Sequence, residues 1–160
     1  MRIAVIGGTG MVGSATVTEA ASRGHEVVSA SRSARHAEGA TRDVSLTLMD
    51  THAVVNLVNS SDATVIAVSA GRGESTQPVI NAHRALIAAA PASRLVVVGG
   101  AGSLLTPDGA RLVDSTDFPE EYKPEALAFS EILDLYREAG SALSWTLLSP
   151  APEFTDKPRT

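Results

Sequence analysis

The chain has 160 residues, is 44% hydrophobic and carries a formal charge of -5 from 13 basic and 18 acidic side chains; that suits one domain with a single core over residues 1–160, and without a continuous basic stripe it argues against nucleic acid as a main partner. Cysteine is absent, which removes disulfides, thiolate nucleophiles and cysteine metal sites and is compatible with a reducing compartment. The four histidines, His25, His36, His52 and His83, are scattered with no ligand pair at helical spacing, so no metal site is expected.

The first apolar run, Ile3 to Ile6, is interrupted at once by glycines and is too short for the apolar region of a signal peptide. No later segment approaches the ~20 apolar residues of a membrane helix. A cytoplasmic protein without membrane contact is the expectation. Further apolar runs follow at Glu26 to Ala30, Thr64 to Ser69, Leu95 to Val98 and Trp145 to Leu148. They are apolar at consecutive positions, as in strands of a parallel sheet covered on both faces. A short segment from Gly39 to Arg42 leads to Asp43-Val44, where a third strand would end.

Helical segments lie between these runs. Met11 to Arg23 ends at Gly24, a C-cap glycine, and Pro78 to Ala90 has proline in its first turn and stops before Pro91. Another spans about Leu46 to Val58, and Phe129, Ile132, Leu133 and Tyr136 recur at i, i+3, i+4 and i+7 before Gly140. The alternation predicts a doubly wound α/β fold. Residues 99–124 have no period and read as a long functional connection.

Gly7, Gly10 and Gly13 form G-x-x-G-x-x-G between a predicted strand and a predicted helix, the context in which bare backbone and a helix N-terminus hold a pyrophosphate. The plain alternative is a glycine-rich turn with no ligand. NAD-selective proteins place an acid about 20 residues beyond the motif, on the adenosine ribose. Here Ser31 and Arg32 stand there, with Arg35 a turn later. A guanidinium fork and a hydroxyl would hold a 2'-phosphate, so NADP(H) is favoured over NAD(H); the rival reading is two arginines solvating a loop.

Asp43, with Val44 beside it, has two readings: a carboxylate that meets the adenine amino group, or the N-cap of the next helix. Ser69, Ala70 and Gly71 close one strand run and Gly99 and Gly100 close the next, small residues where a cofactor would pass. His83 and Trp145 read as packing or surface residues.

GGTGMVGS at 7–14, GHEVVSASRS at 24–33, ATVIAVSAG at 63–71, RLVVVGGAGSLL at 94–105 and LSWTLLSPAPEF at 143–154 together resemble the atypical short-chain dehydrogenase/reductases. The likeness is to the NAD(P)H-binding branch that holds NADH-flavin reductase-like proteins and the biliverdin-IXβ/flavin reductases. It implies a Rossmann-type parallel sheet with a nicotinamide cofactor across the strand ends and a second substrate near the nicotinamide. Carried over by position, Thr9, Met11 and Val12 line the pyrophosphate loop, and Gly99 to Ser103 and Ser149 to Ala151 border nicotinamide and substrate.

Two features depart from that pattern. Classical members place a tyrosine four residues before a lysine that lowers its pKa for proton transfer. Here Ala126 stands four residues after Tyr122, and the two lysines of the chain are Lys123 and Lys157. Relatives also continue past the last strand, so the C-terminal part reads as short or missing.

Hydride transfer to a conjugated acceptor needs placement more than a protein acid. An NADPH-dependent reductase of a small flavin-like or quinone-like electron acceptor is therefore the expected activity. Tyr122 and Ser103 are the polar candidates at the reacting end; Tyr122 reads as a structural residue or a substrate contact ahead of an acid, and Ser103 also reads as an ordinary loop serine. A non-catalytic NADP(H) sensor that signals to a protein partner is the alternative, and a sugar-nucleotide epimerase is disfavoured by the missing tyrosine-lysine pair. A homodimer is compatible with the sequence.

Overall fold

β1 (Arg2–Ile6), β2 (Glu26–Ser31), β3 (Arg42–Ser45), β4 (Ala63–Ile66), β5 (Arg94–Val98) and β6 (Trp145–Leu148) form one sheet in the order β3-β2-β1-β4-β5-β6. Every neighbouring pair is parallel. This is the Rossmann order, in which the connections reverse direction between β1 and β4. The computed structural model describes residues 1–71 and 74–153.

The two faces of the sheet are covered unequally. Ala4, Ile6, Val28, Ala30, Ile66, Leu95 and Val97 point to one side and meet α2 (Thr51–Asn59), α3 (Gln77–Ala88) and α4 (Lys123–Ala139) in the larger core. Val5 and Val27 point to the other and meet Val17 and Ala20 of α1 (Met11–Ser22). Beyond α1 that second face carries the half-buried Val65, Val96 and Val98 and the exposed Leu148.

Each helix buries the stripe its sequence dictates. Gly13, Val17 and Ala20 face the sheet in α1, and Phe129, Ile132 and Tyr136 do so in α4. A fully buried valine, isoleucine or phenylalanine side chain contributes about 1.5–3 kcal/mol over leaving it in water. Gly24, at φ +77°, follows the C-cap of α1, and Pro78 and Pro124 lie in the first turns of α3 and α4, where a missing N–H costs nothing.

Two boundaries differ from the sequence expectation. The helix expected from Leu46 begins at Thr51, because Asp50 accepts a hydrogen bond from the Ala53 N–H at 3.1 Å and sets the start. Leu46 meanwhile donates its N–H to Ser31 O at 3.0 Å, prolonging the β2–β3 ladder. The N-cap reading of Asp43 is thereby overturned, since Asp50 holds that place. The strand expected to reach Ser69 ends at Ile66: Ala67 N–H still bonds Ile6 O at 2.8 Å, but β1 then turns away at Gly7 and leaves no partner.

The aperiodic residues 99–124 contain turns of 3-10 helix at Ala101–Ser103, Leu112–Asp114 and Glu120–Tyr122 and an isolated bridge between Leu105 and Arg111. His83 and Tyr136 are buried between α3 and α4, where a hydrogen bond of 3.1 Å joins His83 Nδ1 and the Tyr136 hydroxyl. Tyr136 also packs on Trp145, ring centroids 5.4 Å apart. Trp145 opens β6, at the end of the sheet away from the C-terminal edge, so these residues pack the core as expected. Among the described residues no helix is long and apolar enough to cross a membrane.

Candidate functional site

Where the strand connections reverse, the carboxyl ends of β1 and β4 open a crevice, the place where open α/β sheets bind ligands. The glycine turn fills its floor. Gly7 and Gly8 donate their N–H groups to Ala30 O at 2.8 and 3.2 Å, and Gly10 donates to Gly7 O at 2.9 Å. Gly7 has φ +87°, and a Cβ on it would stand 2.2 Å from Ala67 O; one on Gly13 would stand 2.0 Å from Gly7 O. Both positions are bare because main chain occupies the space.

Gly10 differs. Its φ of -79° is open to any residue, and a Cβ there would meet only Gly7 O, at 3.3 Å. Gly10 is exposed, with exposed Met11 and half-buried Thr9 and Val12 around it. It is the N-cap of α1 and has no side chain to offer, so the amides of Met11, Val12 and Gly13 keep their hydrogen-bonding capacity and the helix its positive end. A diphosphate fits this cradle: bare backbone, open amides and no competing cap.

At the end of β2 the Ser31 hydroxyl is buried without a hydrogen-bond partner among the described residues, as is that of Thr64 within β4. Arg32 and Arg35 follow, both exposed, and among the described residues neither joins an ion pair. Their loop is tightly held. Leu46 N–H bonds Ser31 O at 3.0 Å, Ser45 Oγ donates to Arg32 O at 3.0 Å, and Ala34 is kept at φ +48°, costly for a residue other than glycine.

Asp43 braces the far side of this loop, accepting from Ala37 N–H at 3.1 Å and pairing with His36 Nδ1 at 2.8 Å. Burial pushes its carboxyl up, yet the bonds from His36 and Ala37 outweigh that and hold it below the ordinary aspartate value. Val44, half-buried beside it, packs against the larger core. Past the end of β2 this loop thus presents a hydroxyl and two guanidiniums, Ser31, Arg32 and Arg35.

On the other side of the crevice, exposed Ser69, buried Ala70 and half-buried Gly71 follow β4. Glu125, in the first turn of α4, accepts from Ser69 Oγ at 2.7 Å and from Ala70 N–H at 3.2 Å. Gly99 and Gly100 end β5, but a Cβ on them would meet Leu147 Cδ2 at 2.5 Å and Phe129 Cδ2 at 2.9 Å. Their bareness answers to packing from β6 and α4. Ser103 donates to Gly100 O at 3.3 Å or shares its proton with Ser149 Oγ at 3.1 Å, linking the ends of β5 and β6.

Tyr122 is half exposed where α4 begins. Lys123, next in the chain, pairs with Glu120; the position a tyrosine-lysine pair would fill, Ala126, is buried, and Lys157 lies outside the described residues. Glu125 and His36 are site residues that the sequence does not mark. No local pattern distinguishes a glutamate whose partners lie 55 and 56 residues away, or a histidine paired with an aspartate across a loop.

Residues 7–160 match a protein family described as NAD(P)H-binding. The chain is 38% identical over 160 residues to the uncharacterised protein YwnB of Bacillus subtilis, covering 96% of this chain and 73% of that protein. Among solved structures, a "putative NADH-flavin reductase" of Streptococcus pneumoniae superposes with a TM-score of 0.81 at 34% identity, covering 100% of this chain and 76% of its own. A "putative epimerase" of Bacteroides thetaiotaomicron superposes with a TM-score of 0.77 at 28% identity, covering 95% and 71%.

Proposed function

As this chain belongs to the NAD(P)H-binding family of Rossmann proteins, we propose that it is a cytoplasmic NADPH-dependent reductase that passes hydride to a small flavin-like or quinone-like acceptor. The observation that carries the cofactor choice is the pair of exposed guanidiniums, Arg32 and Arg35, just past the end of β2 and outside any ion pair among the described residues. When bound, the nicotinamide supplies the hydride.

The chain's own residues bind and orient. The amides of Met11, Val12 and Gly13 take the diphosphate oxygens over the bare Gly10. Ser31, Arg32 and Arg35 hold the 2'-phosphate. Residues 69–71, Gly99, Gly100 and Ser103 form the wall along which nicotinamide and acceptor lie, with Ser103 and Tyr122 as polar groups toward the acceptor.

Support for a conjugated acceptor comes from the proton. Alcohol oxidation and sugar-nucleotide epimerisation need a side chain that moves one, whereas a flavin or quinone spreads the incoming charge and takes its proton from water. Tyr122 has no lysine four residues on, and Lys123 is engaged by Glu120, so placement supplies the rate. The flavin-reductase name given to one relative agrees, and the epimerase name given to another meets the same missing pair.

NADPH oxidation followed at 340 nm with flavin mononucleotide, and then with a quinone, tests the reading. Sustained turnover with either supports it. Tight NADP(H) binding without turnover on any acceptor replaces it with a redox sensor that reports to a protein partner.

A further inference from the structure

We infer that Glu125 is a positioning residue for the nucleotide: its carboxylate fixes the β4 side of the crevice from the first turn of α4. The inference rests on the proposed nucleotide site and names a residue that site needs.

Residues 67–71 continue β4 beyond the last strand pairing and lie against the glycine turn, with Ala67 O at 2.2 Å and Val68 Cγ2 at 3.4 Å from where a Gly7 Cβ would stand. Once Ala67 N–H has bonded Ile6 O, β1 offers no further ladder. The next residues take their order from α4. Glu125 accepts from both Ser69 Oγ and Ala70 N–H, and the same Ser69 Oγ accepts a long bond of 3.4 Å from Gly71 N–H. One carboxylate therefore orders three consecutive residues, one of them at φ +102°.

A negative charge in the first turn of α4 is favourable for the helix by itself, but that effect needs no contact with another element. The two bonds join α4 to the segment after β4, 55 and 56 residues earlier in the chain. Holding that wall in place before the ligand arrives spares the ordering cost of binding. Two such bonds correspond to about a tenfold gain in affinity.

The test is calorimetric titration of NADPH onto the chain and its variants. E125A is expected to bind NADPH about tenfold more weakly. In E125Q an amide oxygen still accepts from Ser69 and Ala70, so binding is expected to return to within about threefold of the unaltered chain. E131A, which removes the exposed ion pair with Arg84 on the same helix, is expected to bind as the unaltered chain does.

Unchanged affinity in E125A overturns the positioning role and leaves the nucleotide site standing. An equal loss in E131A or in E125Q overturns it too, since the effect is then general to α4 or follows charge alone. No uptake by the unaltered chain overturns the proposed function, and this inference with it. Should E125A fail to fold, S69A removes the same bond from the opposite side, and full-strength NADPH binding by S69A overturns the inference.

Discussion

At the front of the crevice a Cβ on Gly7 or Gly13 would strike main chain, Ala67 O at 2.2 Å and Gly7 O at 2.0 Å; at the rear, one on Gly99 or Gly100 would strike side chains, Leu147 and Phe129. The front backbone is pinned by parallel pairing on both sides of β1, so it has nowhere to go. Leu147 is half-buried on an edge strand and can rotate, while Phe129, buried between α4 and the sheet, yields less. Rigid geometry at the front and adjustable packing at the rear suit the proposed pairing of a fixed cofactor with a variable second substrate.

The largest expected effect follows from the front. G13A should lose about 4 kcal/mol of stability or fail to fold, because backbone overlap has no rotamer to relieve it; chemical denaturation measures this. A variant that unfolds within about 1 kcal/mol of the unaltered chain would erase the contrast.

The core beneath the rear half gives the next. Burial lowers the His83 pKa to about 4, against about 6.5 in an unfolded chain. Between those values the unfolded chain holds a proton that the folded one does not, so stability is present above about pH 6.5 and falls as pH drops toward 4, by about 3 kcal/mol over the interval. Burial likewise raises the Tyr136 hydroxyl, which stays neutral throughout. Urea unfolding at pH 7 and pH 4 should show this fall in the unaltered chain and a shallower one in H83L.

Charge reversal at the front separates cofactor choice from turn geometry. R32E combined with R35E should weaken NADPH by about 30-fold and leave NADH within about threefold, since only the former carries the phosphate those guanidiniums meet. Equal losses for both nucleotides would assign the arginines to the loop alone.

The smallest effects test the rear glycines. G100A should cost about 2 kcal/mol and G99A about 1, the order in which Phe129 and Leu147 resist displacement. The reverse order in thermal unfolding would show that the edge strand is the stiffer neighbour.

Much of this frame is legible in the amino-acid sequence. Five strand runs stand out because each places apolar residues at consecutive positions, as strands inside a parallel sheet do, and the glycines announce the turn because strand and helix flank them. β3 is harder to see: Arg42–Ser45 has one apolar residue in four, as an edge strand allows. The start of α2 is obscured because Leu46 and Leu48 carry apolar character back from the helix into a segment whose Leu46 N–H extends the sheet, while the true start lies in a single cap at Asp50. Glu125 is invisible at this level, for its meaning depends on α4 and β4 meeting in space. The rear of the crevice is hidden for the same reason: residues 99–122 are held by short turns and single hydrogen bonds, which leave no periodic trace.

Gly10 offers the most direct test of the central claim that bare backbone at the head of α1 holds a diphosphate. Serine there meets an extended backbone that any residue can adopt and is a favourable N-cap, set against a tight 3.3 Å approach of its Cβ to Gly7 O, so G10S should stay folded within about 1 kcal/mol of the unaltered chain while its side chain occupies the cradle. Calorimetry with NADPH is expected to show uptake by the unaltered chain and at least about a tenfold loss in G10S. Equal affinity in the two, or no uptake by the unaltered chain, would contradict the claim.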